Sequence, residues 1–152
     1  MGFSKNVFAG LVLAAIVPAA PVGAGEIDNA IQIRKLDMML MATSLRCRFG
    51  ADNFQADYER IKVRHRQNFK LASERVLGDM TRRMGRKNAI NSYDRMSTGM
   101  ANEYGTGHPW LDCGQLKREA QALASTSDMA TLDMAARELL SRQPSTRLAL
   151  AN

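Results

Sequence analysis

The residues whose types could do chemistry in this 152-residue chain are two cysteines, two histidines and one tryptophan. Cys47 and Cys113 lie far apart, and neither belongs to a Cys-X-X-Cys pair. A nucleophilic thiolate needs a depressed pKa, supplied by nearby cations, a helix N-terminus or a metal. Only the flanking Arg46 and Arg48 offer that here. The pair therefore reads as one structural bridge, since two cysteines allow a single intramolecular connectivity. Closing so long a loop removes freedom from the unfolded chain and contributes roughly 4 kcal/mol.

A small-molecule site, if there is one, falls in the segment from Tyr104 to Trp110, which also holds Gly105, Gly107 and His108. His108 is the candidate general base near neutral pH, and Glu103 stands close enough in sequence to share acid–base work. Tyr104 and Trp110 are candidates for stacking on a sugar or a planar ligand. The same Pro-Trp segment also suits a plug at the end of a helical core, with His108 bonded to a backbone carbonyl. Gly105-Thr106-Gly107 is no phosphate loop, because neither a following Walker lysine nor a third glycine stands at the required spacing.

His65 falls on an apolar stripe and reads as a satisfied core or boundary histidine. With two histidines and bridged cysteines, no metal site and no cofactor is expected. Ser44, Ser97 and Thr98 lack the surroundings of any nucleophile motif.

The formal charge is +6 and unevenly placed. Between Glu59 and Lys87 stand ten Lys or Arg residues against three acids. Arg60, Arg64, Lys70, Arg82, Arg83 and Lys87 are the candidate contact surface. It suits anionic lipid headgroups, acidic glycans or an acidic envelope protein. A solvated helix face is the plainer alternative. The alternation Arg60, Lys62, Arg64, Arg66 spreads charge around a helix, and no reader motif accompanies it, so no specific nucleic-acid binding is expected. Oligomeric state is not legible.

Lys5, the apolar run Val7–Val17 and the small residues of Val22-Gly23-Ala24 have the order of a secretory leader. The expected organisation is a signal peptide over 1–24, cleaved near Ala24, a helical domain over 25–143 and a flexible tail over 144–152. The run is too short to span a bilayer. The chain is expected in the periplasm or secreted, where cysteines oxidise and stay oxidised.

Periodicity is helical throughout. A first helix is expected from Asp28 to Arg46, apolar over a wide arc (Ile31, Leu36, Met39, Leu40, Met41, Leu45) and therefore central. Phe54, Tyr58, Ile61, His65, Phe69, Ala72, Val76 and Met80 predict one long helix over Asn53–Met84. Asp52 and Gln55 form its capping box, and Gly78 is its weak point. Further helices are expected over Ala89–Tyr104 and Leu111–Ala124, and from Ser127 or Asp128 until Pro144. The sum is an all-α bundle of four or five helices with one disulfide and a methionine-rich core.

Three segments carry a resemblance: Leu36 to Tyr58, with Leu45-Arg46-Cys47-Arg48-Phe49-Gly50 at its centre; Ser97-Thr98-Gly99-Met100-Ala101-Asn102; and Gly107-His108-Pro109-Trp110-Leu111-Asp112-Cys113. Together they resemble a family of small exported helical proteins of sphingomonad-type alphaproteobacteria. Members sometimes bear the automatic label S-adenosyl-L-homocysteine hydrolase. An enzyme of that kind is several times longer and holds NAD in a Gly-rich strand–turn–helix unit, and this chain has neither. The resemblance thus implies an exported helical protein of unassigned chemistry. The function expected is a non-enzymatic envelope binding or structural module with a basic contact helix. The alternative is a small periplasmic enzyme or ligand-binding protein using the His108 loop.

Overall fold

A computed structural model describes residues 23–141. Nearly all of the expected signal peptide, and the whole 144–152 tail, lie outside the described residues. These residues form an all-α fold of six helices, one more than the upper expectation, with no strand among them.

Helix α1 spans Ala24–Arg46 and starts four residues before Asp28, with Glu26 complementing the positive end of the helix dipole. It is central, packing on four other helices. Ile33, Leu36, Met39 and Leu40 are sealed from solvent. Leu45, read from sequence as part of the apolar arc, is exposed instead.

The expected Asn53–Met84 helix is two helices, α2 (Gln55–Arg64) and α3 (Arg66–Met84), which meet at His65. The His65 backbone sits at φ −98°, ψ 15°. Its ring is fully buried, with Nε2 3.2 Å from the Leu123 carbonyl and Nδ1 3.3 Å from the Asn68 amide. The His65 amide still donates to the Ile61 carbonyl at 2.8 Å and its carbonyl accepts from the Phe69 amide at 3.0 Å, while the ring reaches a partner on another element. The bend lets α2 lie on the later helix α5 while α3 lies on α1 and α4. Gly78 sits inside α3 without interrupting it. The start of α2 also differs from the expected capping box. Asn53 Oδ1 accepts from the Gln55 amide at 3.0 Å, and Phe54 is the N-cap.

Gly85 alone separates α3 from α4 (Arg86–Glu103), and its φ of 78° is a conformation glycine adopts without strain. Helix α5 (Cys113–Ala124) begins with a true capping box between Asp112 and Gln115, which sequence reading overlooked. Helix α6 (Met129–Leu139) is capped by Asp128, whose carboxylate accepts from the Thr131 amide at 2.7 Å. That hydrogen bond holds the Asp128 carboxyl below its ordinary pKa. Helix α6 ends at Leu139, before Pro144 is reached.

The core is built from Leu, Ile, Phe and Ala rather than methionine. Only Met39 and Met100 are buried among the described methionines, while Met84 and Met134 are exposed. The expected methionine-rich core is thus corrected, since most methionines sit at the boundary, where their flexible side chains fill edges. Cys47 at the end of α1 is bonded to Cys113, the first residue of α5, with a Cα–Cα distance of 5.7 Å. Among the described residues no helix is long and apolar enough to cross a membrane.

Candidate functional site

The loop between α4 and α5 carries the aromatic cluster. Gly107 turns it at φ 118°, where Arg46 lies so close that a Cβ would meet its Nε at 3.2 Å. The turn presents His108 to the end of α6. His108 Nε2 lies 2.7 Å from the Leu139 carbonyl, which only accepts, so this nitrogen donates. His108 Nδ1 accepts from the Leu111 amide at 3.2 Å and, at longer range, from the Trp110 amide at 3.4 Å. This pattern is that of the neutral ring with its proton on Nε2.

Tyr104 stacks on the imidazole at 5.8 Å between centroids, and Trp110 meets it edge-on at 4.8 Å. The Trp110 indole N–H donates to the Ser141 carbonyl at 3.1 Å. Burial, reinforced by the Glu103 charge, pushes the Tyr104 phenol up to about 12. The structure thus brings Tyr104, His108 and Trp110 into one packed group. Glu103 is turned elsewhere, pairing with Lys35 Nζ at 2.8 Å. Both His108 nitrogens serve the fold, so accepting a substrate proton requires breaking the loop's own bonds. A cavity of about 290 Å³ does open beside the bridge, lined by Arg46, Thr106, His108 and Asp112 among others.

Burial pushes the His108 pKa below its ordinary value, and the Leu139 carbonyl only partly opposes this. The unfolded chain therefore takes up this proton at a higher pH than the folded one. The stability involved is fully present above the unfolded value of about 6.5 and is lost as pH falls toward the folded value. Thermal melts are expected to show the melting temperature dropping as the pH falls below about 7. His108→Gln is expected to flatten that slope; an unchanged slope would exclude His108 as its source.

All ten cations from Arg60 to Lys87 stand exposed on α2, α3 and the start of α4. Of the six candidates, Arg60 pairs with Asp57, Lys70 with Glu74 at 3.7 Å, and Arg82 and Arg83 with Asp79 at 3.2 and 2.8 Å. Arg64 and Lys87 make no ion pair among the described residues, nor do Arg66, Arg75 and Arg86.

Two features escaped sequence reading. Asp37 is buried and accepts from Tyr58 Oη at 2.9 Å and Arg34 Nη1 at 2.7 Å. Burial and the Asp37 charge raise the Tyr58 pKa well above the ordinary phenol range. A clue existed in the placing of Asp37 beside Leu36 on a helix too apolar to leave it in water. The second is the exposed Phe49, for which no sequence signal existed. Among the described residues no group of three or more His, Cys, Asp or Glu side chains is arranged to hold a metal ion. No family model, curated protein or solved structure matches this chain.

Proposed function

We propose that the chain is a non-catalytic binding module of the cell envelope, exported and bridged. It engages an anionic partner through the cations of α2, α3 and the start of α4. The supporting observation is that all ten of those cations are exposed and five make no ion pair among the described residues. The pairs the other five do make are local and solvent-exposed on the cation's side. Such pairs hold about 0–1 kcal/mol each, so a partner's phosphate or carboxylate can replace them. The disulfide is compatible with an oxidising compartment, which supports the periplasmic or secreted location.

The test is a pull-down from envelope extract with oxidised protein, washed at low and then high salt. Capture at low salt with release at high salt is expected, because exposed charges are screened within about 10 Å at 0.1 M. Replacing Arg64, Arg86 and Lys87 together by Glu is expected to weaken capture about tenfold or more at low salt. Absence of any capture at low salt would overturn the reading.

A further inference from the structure

We propose that the last residues of α1 and the turn that follows, Leu45 to Phe49, form a docking tip that seats on an anionic phospholipid surface. This site is separate from the basic surface of α2 and α3 and does not rest on that reading.

Its geometry follows from alternation about the bridge. Cys47 is buried and clamped to α5 through Cys113. Its neighbours Arg46 and Arg48 are exposed, and so are the next residues out, Leu45 at 45% and Phe49 at 81%. From Arg48 to Asn53 every residue is exposed, so the chain projects here. The Arg48 guanidinium lies 4.6 Å from the Phe49 ring centroid. That contact holds a cation against a large apolar group that the fold leaves in water. The bridge fixes the base of the projection, so its cations and apolar groups are presented together without the cost of ordering a free loop.

The surroundings have the matching character. A groove of about 420 Å³ runs between the end of α1 and the end of α4. Met41, Ala42, Leu45, Phe49 and Ala101 supply its apolar wall, Arg46 and Arg48 its charge, and no carboxylate lines it. The first acid beyond the tip, Asp52, lies toward α5, with its Cγ 3.5 Å from where a Gly114 Cβ would stand. Lys117 adds a third cation nearby, its Nζ donating to the Ala51 carbonyl at 2.7 Å.

Charge complementarity therefore selects an anionic occupant, and the shape selects a bilayer. A specific protein interface needs a matched area of about 800 Å² per partner. Two apolar side chains on a projection do not supply that, but they suffice at a fluid interface that needs no matched shape. There the ring and Leu45 enter the acyl boundary while the guanidiniums stay at the phosphates. Either signal alone is weak, and the combination is what holds a protein at a membrane.

Cosedimentation with phosphatidylglycerol–phosphatidylethanolamine vesicles and with phosphatidylcholine vesicles tests this. Binding to the first and not the second is expected. Phe49→Ser, at a position outside the core, is expected to lower the binding about tenfold and leave the melting temperature unchanged. Wild-type protein that ignores the anionic vesicles or binds both kinds equally, or a Phe49→Ser variant that binds as well as wild type, would overturn the proposal. Capture of a protein through Phe49 with no vesicle binding would overturn it too and make the tip a protein interface. The Arg64, Arg86 and Lys87 charge-reversal variant separates this site from the basic surface. It is expected to keep its dependence on Phe49 at the vesicles even where extract capture is lost.

Discussion

Replacing Cys47 and Cys113 together by serine is expected to lower the unfolding free energy by about 4 kcal/mol and the melting temperature by roughly 15 °C. The bridge closes a loop of sequence separation 66 that contains α2, α3 and α4. Cutting it restores to the unfolded chain the freedom that the closed loop had removed. The packing sharpens the effect. Helix α5 lies mainly on α2 and only lightly on α6, so its link to α1 is chiefly the bridge. Chemical denaturation of the double variant reads the loss directly. A change below about 1 kcal/mol would mean that the α2–α5 contact holds α5 in place unaided. The same variant is expected to weaken vesicle binding, because Cys47 is the fixed point from which Phe49 projects.

How far the sequence carried depends on whether a feature is local. The stripe Phe54, Tyr58, Ile61, His65, Phe69, Ala72, Val76 and Met80 was legible because burial on one helix face needs only periodicity, and the first seven are buried while Met80 is half-buried. The break inside that stripe was not legible, because the partner of the buried ring, the Leu123 carbonyl, lies on a helix almost sixty residues later. The cysteine pairing was legible because two cysteines leave one choice. At His108 the residue type suggested proton transfer. Both nitrogens are bound by backbone groups, and one of these, on Leu139, lies 31 residues onward. Exposure is the least local property of all. Nothing in the order Leu45-Arg46-Cys47-Arg48-Phe49 separates the buried cysteine from the exposed ring beyond the bridge itself.

His65→Ala is expected to cost about 3 kcal/mol, measured by denaturant unfolding at neutral pH. The ring is fully enclosed, so its removal leaves a cavity that the neighbours fill only in part. It also removes the bond to the Leu123 carbonyl, which keeps a longer one from the Thr126 amide at 3.3 Å, and strips the Asn68 amide of its ring partner. Alanine is the stronger helix former, so the local tendency of the variant is to run α2 straight into α3. Tertiary packing opposes that, because α2 is committed to α5 while α3 is committed to α1 and α4. The penalty therefore falls on stability rather than on shape. His65→Leu separates the two contributions, since it restores much of the volume without the donor, and an intermediate loss is expected. If both variants unfold within about 0.5 kcal/mol of the parent, the bend is set by the helices packed around it and not by the histidine. The distinction bears on the basic surface too, because the bend at His65 sets how Arg60 and Arg64 on α2 stand relative to Arg66 and Arg75 on α3.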